Sequence, residues 1–371
     1  MTFEHKARIL AVLLVGVNAC TSMRTGPATQ EHVWPAYLGS SARVSERLDT
    51  STADPQPVWR AGVGRGIVGA PALAEDVVAL AQVDQQVVLL DRATGDVLWR
   101  RRIGGHAAGG PLLADDRLLA ASQGRGGTVV ALRLVDGRRL WSTHVGDVVS
   151  PLALDGGVVY AGTSEGWVVA LDARTGRQRW RVRVPGAVRA APVPLGTAVA
   201  VATTRDSIFL LEASTGRIDV RQSTPGTVLA APALAHGRLV IGTTAGRLAA
   251  LDPASLATVW FRDAGGPVVG AVAIRDRIAY AVTANGVLWS IPVDSAVGTR
   301  ADTLHIVARA GPLPAPRGTY VVSVDGRLSR IGARGESQWT VRLRSPVIEP
   351  VVQDGSMLFA VSQRGEVVAF R

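Results

Sequence analysis

Tryptophan recurs along this chain at an almost constant interval. Trp59, Trp99, Trp141 and Trp180 are spaced by 40, 42 and 39 residues. Val220 fills the next position at 40, Trp260 follows after another 40, and Trp339 closes the series. Proline keeps the same beat. Pro71, Pro111, Pro151, Pro192 and Pro232 are spaced by 40, 40, 41 and 40, with Val272 next and Pro350 in the last copy. Two residue types in one register identify a repeat, and a repeat of roughly 40 residues is one supersecondary unit that buries its apolar face only by stacking on its neighbours.

The copies read as four short strands each. In residues 150–182, Ser150 to Leu154 is a first strand and Asp155-Gly156-Gly157 a turn. Val158 to Gly162 is a second strand, Thr163 to Gly166 a hairpin turn, and Trp167 to Leu171 a third strand. Asp172 to Gly176 is another turn, and Arg177 to Val182 is a fourth strand carrying Trp180. β-rich runs split by Gly and Asp turns are the mark of a meander. The second strand recurs eight times, as VVALAQV, LLAASQ, VVYAGTS, VAVATT, LVIGTT, IAYAVT, YVVSVD and LFAVS, and the third recurs eight times as well. The pattern predicts an all-β chain folded as an eight-bladed β-propeller.

The turn before the fourth strand has a mechanical basis. Asp91, Asp172 and Asp252 open it, and Thr94-Gly95, Thr175-Gly176 and Thr215-Gly216 end it. An Asp side chain accepts hydrogen bonds from N–H groups two or three residues on, and Gly supplies a positive φ. The tryptophan that follows is large and flat enough to cover a neighbouring sheet. Asp91, Asp172, Asp252 and the tryptophans at 59, 99, 141, 180, 260 and 339 are therefore expected to be structural positions. The ends of the chain point to closure. The last copy stops at Arg371 before any fourth strand, and Val58-Trp59-Arg60 supplies an orphan one. Pairing the two leaves no free edge. One copy, over residues 288–318, departs most: ADTLHIVARAGPLPAP stands where a tryptophan strand belongs.

The N-terminal part reads differently. Lys6 and Arg8 precede the short apolar run ILAVLLVGV, and Asn18-Ala19 precede the single cysteine, Cys20. A basic start, a run too short to span a bilayer and small residues before a cut describe a secretory signal. The string VNAC resembles a bacterial lipobox. That resemblance implies cleavage after Ala19 and acylation of Cys20, and several acyl chains anchor stably where one alone is marginal. The expected organisation is a signal peptide over 1–19, a lipidated N-terminus and tether over 20–55, and the propeller over 56–371. Within the polar tether, Trp34-Pro35-Ala36-Tyr37-Leu38-Gly39 is an apolar island.

Motifs for chemistry are sparse. The six histidines are scattered, there is no second cysteine, and no H-x-x-x-H or C-x-x-C spacing supports zinc. No G-x-S-x-G elbow or phosphate loop occurs. The residues before each repeat proline should face the propeller axis, and they read Gly69-Ala70, Gly109-Gly110, Val149-Ser150, Ala190-Ala191, Ala230-Ala231 and Gly270-Ala271. Arg189 and Glu349 are the nearest polar exceptions, and could form an ion pair. The formal charge of +10 comes almost wholly from arginine, without an Arg-rich run. An exported chain of this kind is not expected to bind nucleic acid. No catalytic, cofactor-binding or metal-binding residue, and no cofactor, is predicted.

The string ALD-x-x-TG-x-x-x-W resembles the repeat of the PQQ-type β-propeller family, most strongly at residues 168–180 and 87–99 and well at 247–260. Quinone-dependent dehydrogenases of that family would imply a bound quinone, a calcium ion, a catalytic carboxylate and a vicinal disulfide, and the lone cysteine denies the last. With its anchor, tether, blade count and length, the chain is more similar to the BamB-like outer-membrane assembly lipoproteins. That resemblance implies a non-catalytic platform held by lipid at the outer membrane and facing the periplasm, and Thr21 rather than Asp after Cys20 fits that sorting. Its partner would be the periplasmic domains of a barrel-assembly core protein, with the chain a monomer within the complex. An orphan repeat lipoprotein that binds another envelope protein or a glycan is the alternative, ahead of an oxidoreductase.

Overall fold

Strands in the middle of a blade are apolar on both faces, because each blade is covered on both sides by its neighbours. Val77–Gln82 and Val158–Gly162 are buried throughout. The outermost strands alternate instead, as in Arg139–His144 and Ile218–Ser223, since only one of their faces meets another blade. In the computed structural model, residues 54–371 apart from residue 125 are described. They form eight four-stranded antiparallel sheets, an eight-bladed β-propeller. Seven blades are continuous in sequence and occupy residues 67–102, 112–144, 153–183, 193–223, 233–263, 273–303 and 313–342, numbered one to seven below.

Blade eight is composite. Strands Val352–Asp354, Met357–Val361 and Glu366–Phe370 come from the end of the chain, and Pro57–Gly62 adds the outer strand. Trp59 stands opposite Ala369 and Gly62 opposite Glu366. Gln56 and Arg371 exchange backbone hydrogen bonds at 2.7 and 2.8 Å, and Arg60 meets Glu366 at 3.0 Å. The ring thus closes by pairing its first strand with its last blade, as the orphan strand in the sequence requires.

The core is distributed between blades. One buried cluster joins blades two and three through Leu119, Val129, Val159 and Val169. Others join three to four, four to five and five to six. Between blades six and seven the cluster shrinks to Val282, Leu288, Ala308, Val321 and Ile331.

The segment expected to be a degenerate blade is resolved differently. Residues 288–318 comprise most of the third strand of blade six, Val287–Pro292, its short outer strand Arg300–Thr303, and the inner strand Leu313–Ala315 of blade seven. Blade seven is regular, and the irregularity is confined to the outer strand of blade six. There Ser290 pairs with Arg300 where Ala250 pairs with Trp260, without the bulge that the other outer strands make at this point. Proline returns to the beat here after Val272, because Pro312 holds the position of Pro151 and Pro192.

Candidate functional site

The fold places its polar groups in two regions, the outer rim where blades meet and the axis where the inner strands converge. At the rim, the turns between third and fourth strands of blades one, three and five are built by their first residue. Asp91 Oδ1 accepts the N–H groups of Ala93 and Thr94 at 2.9 Å, and Asp172 Oδ1 accepts that of Thr175 at 3.0 Å. Arg179 and Thr175 hold the Asp172 carboxyl down at about 2, below its ordinary range. Asp252 does the same with Ala254 and Ser255. Each fold-back presents one carbonyl towards the preceding blade.

That carbonyl receives an indole. Trp59 Nε1–H donates to Arg92 at 2.9 Å, Trp99 to Leu134 at 2.8 Å and Trp141 to Ala173 at 3.1 Å. Trp180 donates to Ala213 at 2.8 Å and Trp260 to Val293 at 2.7 Å. In the first four of these the ring then lies on the glycine that ends the turn, and at Trp260 that position is Ala296 at φ 55. A Cβ on Gly95 would come within 2.6 Å of Trp59, and one on Gly216 within 2.6 Å of Trp180. Each tryptophan is thereby a staple from one blade to the next. Trp339 is held instead by edge contacts with Tyr320 and Phe370, since blade eight has no such turn.

Two junctions lack the ring. At the junction of blades four and five, Val220 stands in the tryptophan position, and Leu256 occupies the glycine position of the facing turn at φ 58. Leu256 is fully buried and shares a cluster with Val220, so the larger turn residue fills what the smaller strand residue leaves. At the junction of blades six and seven, Arg300 holds the position and turns its guanidinium onto Asp302 at 2.7 Å. The facing turn is glycine at both Gly332 and Gly335, and the short Asp302 carboxylate lies against Gly335 where a tryptophan ring lies elsewhere. A cleft of about 820 Å³ opens there, floored by Ile278, Leu288 and Ile331 and rimmed by Arg300, Glu336 and Gln338.

At the axis the inner strands approach closely. A Cβ on Gly69 would lie 1.9 Å from Gly110 N, and one on Gly311 2.0 Å from Ala271 O. The small residues before each repeat proline are therefore a steric requirement. The polar exceptions do not pair. Arg189 is exposed, and Glu349 accepts the Gly69 N–H. Burial pushes the Glu349 carboxyl above its usual range, and that hydrogen bond offsets part of the effect. Arg309, which the sequence reading passed over, also lines the axial space; Pro312 three residues on was the signal for it. This space is about 140 Å³, below the roughly 300–1,000 Å³ of small-molecule sites. Among the described residues no group of three or more His, Cys, Asp or Glu could hold a metal ion. A quinone with calcium needs six to eight oxygen ligands around the ion. The axis does not fit that pair. Cys20 lies outside the described residues.

The family model of outer membrane protein assembly factor BamB, a PQQ-repeat family, matches residues 44–189, 125–229, 191–284 and 220–301. The chain belongs to this BamB-type family of PQQ-repeat propellers. A curated relative in the same family, outer membrane protein assembly factor BamB of Burkholderia pseudomallei, is 29% identical over 157 residues. That match spans 42% of the chain and 39% of the relative's length. The crystal structure of BamB from Moraxella catarrhalis superposes with a TM-score of 0.71 at 16% identity, covering 86% of the chain and all of that structure. Quinohemoprotein alcohol dehydrogenase from Comamonas testosteroni superposes with a TM-score of 0.75 at 15% identity, over 91% of the chain and 80% of the enzyme. At these identities the structural matches speak for the propeller alone.

Proposed function

We propose that the chain is a non-catalytic scaffold of the outer-membrane β-barrel assembly machinery, anchored by lipid on Cys20 and facing the periplasm. The family match over residues 44–301 carries this reading. The geometry of the axis supports it: most of the inner positions that could hold chemistry are glycine or alanine, the glycines at contact distance from the next blade, and the space between them is too small for a quinone. What a platform needs is present at the rim. Outer strands offer an unpaired backbone edge to a partner, and that of blade five, Thr258–Asp263, leaves Phe261 60% exposed beside Val259.

Co-purification tests the assembly role. After mild detergent extraction, the tagged chain is expected to bring down a barrel-assembly core protein. A chain that purifies alone under conditions that keep the core complex intact overturns the proposal. For the anchor, Cys20→Ser should move the protein from the membrane to the soluble fraction; unchanged fractionation overturns the lipid reading.

A further inference from the structure

One row of side chains runs across a blade from its second strand through its third to its outer strand, on the side that meets the next blade. In blade three the row is Tyr160, Ala170 and Trp180, and in blade five it is Val240, Ala250 and Trp260. In blade six the same row is Tyr280, Ser290 and Arg300, each with a polar group. All three line the cleft of about 820 Å³ towards blade seven, which falls within the roughly 300–1,000 Å³ of small-molecule sites. Tyr280 and Ser290 are half-buried, and among the described residues neither hydroxyl has a hydrogen-bond partner. Burial pushes the Tyr280 phenol above its ordinary range, so it remains a donor through neutral pH.

Blade seven supplies the opposite wall, where Thr319, Glu336 and Gln338 line the cleft. Gln338 is held from both ends. Its Oε1 accepts the N–H of the buried Arg330 guanidinium at 3.1 Å, and its amide donates to Glu336 Oε1 at 3.1 Å. The Glu336 carboxyl is kept below the usual glutamate range by its own backbone N–H and by Gln338, so it faces the cleft ionised. Arg300 is fixed on its side by two hydrogen bonds to Asp302 Oδ1, at 2.9 and 2.7 Å. Asp302 lies against Gly335, and Glu336 and Gln338 lie against Gly332. The open space is therefore bounded by two polar walls over a floor of Ile278, Leu288 and Ile331.

The walls mix donors with acceptors. Phenol, guanidinium and hydroxyl groups donate, and Glu336 and Asp302 accept. Three guanidinium groups and two carboxylates line the cleft, close to balance, so neither an anion nor a cation is strongly selected. Apolar side chains beneath such groups complement a ligand that has C–H faces and many hydroxyls. We propose that the cleft binds a neutral glycan segment, its C–H face on Ile278, Leu288 and Ile331, its oxygens accepting from Tyr280 and Arg300 and its hydroxyls donating to Glu336. The polar groups are already held in place, which lowers the ordering cost of binding. A cavity of about 150 Å³ takes up benzene, so 820 Å³ admits roughly two or three sugar rings. This site stands apart from the scaffold reading, because it occupies one junction and leaves the rims of the others open.

Calorimetric titration of the purified full-length chain with chitotriose and with maltotriose tests this. Saturable binding of at least one of the two is expected, with a Kd below about 1 mM. Tyr280→Phe and Ser290→Ala should each weaken it about three- to tenfold, the loss of one neutral hydrogen bond, and Glu336→Gln at least tenfold, the loss of a charged one. Arg300→Trp should abolish binding by filling the cleft. Ser290→Ala restores the residue that blades three and five carry at this place, which keeps the proposal falsifiable if Arg300→Trp does not fold. Binding of neither trisaccharide overturns it, as does binding that Ser290→Ala and Glu336→Gln leave unchanged, or a blocked apolar tripeptide that binds as tightly as the sugars. The titration needs neither anchor nor partner protein, so a failed scaffold reading leaves its outcome intact.

Discussion

The staple at Trp180 gives the sharpest test of how the blades hold together. Its ring is almost fully buried, and its indole N–H reaches Ala213 O. Trp180→Ala removes the ring from a packed junction, which costs about 3–5 kcal/mol in comparable cores. The Ala213 carbonyl is only half-buried, so water can replace the indole there, and its loss adds at the low end of about 1–3 kcal/mol. A total of about 4–6 kcal/mol, with a urea slope of about 3 kcal/mol/M, moves the midpoint down by about 1.3–2 M. Gly216→Ala acts on the same contact from the other side. Gly216 sits at φ 74, where a Cβ costs about 1–2 kcal/mol. The new Cβ also meets the Trp180 ring at 2.6 Å, and such overpacking adds about 1–3 kcal/mol.

The double variant separates the two terms. With the ring gone, Gly216→Ala should cost only its backbone part, so the pair couples by about 1–3 kcal/mol. The assay is urea denaturation of the two single variants, the double variant and the parent, followed by circular dichroism and fluorescence. Coincident transitions are required before free energies are compared. Additivity within about 0.5 kcal/mol would mean that ring and glycine do not touch in solution, and would refute the staple geometry.

Three further outcomes follow from the same structure. Val220→Trp should destabilise the junction of blades four and five by about 1–3 kcal/mol against buried Leu256, and Val220→Trp with Leu256→Gly should recover most of it, read as denaturation midpoints; equal losses in both variants would contradict the compensation. Glu349 has a raised folded-state pKa, so its unfavourable ionisation is absent below the unfolded value and appears as pH rises through the folded one. Glu349→Gln should therefore match the parent near pH 4 and exceed it in stability at pH 7 and above, checked by denaturation across pH. Asp172 is lowered to about 2, so it contributes stability above its unfolded value that fades as pH falls towards 2; Asp172→Asn should flatten that acid limb, and an unchanged limb would show that the turn contacts are not formed.

Repeat, blade count and closure were legible because they rest on periodic and local signals. Asp172 and Gly176 act within one turn, and the orphan strand at Val58 announced itself by its tryptophan. What escaped the sequence depends on pairs about 36 residues apart across a junction. Val220 reads as a weak tryptophan position and Leu256 as a weak glycine position; only their packing shows that each explains the other. Arg300 was visible as a gap in the tryptophan series. The cleft was not, since it also depends on a facing turn with glycine at both Gly332 and Gly335, against which only the short Asp302 side chain and the polar Glu336 and Gln338 pack. Pro312 stood in plain view at the expected interval, and reading it would have placed blade seven correctly and drawn attention to Arg309.

The same geometry limits where a propeller of this kind can acquire function. Chemistry at the axis needs side chains with reach at the positions preceding the repeat prolines. Here a Cβ at Gly69 or Gly311 already collides with the backbone of the next blade, so a carboxylate cannot be introduced there without moving two blades apart. Moving them strains the outer rim, where Trp59, Trp99, Trp141, Trp180 and Trp260 fix the spacing through hydrogen bonds of 2.7–3.1 Å. Axis and rim thus constrain each other around a closed ring. The rim alone tolerates change, because a staple position can become valine or arginine and the loss stays within one junction. A new contact surface arises most readily by losing a tryptophan, and the junction of blades six and seven is where this chain has done so, with only short and polar side chains against the facing turn.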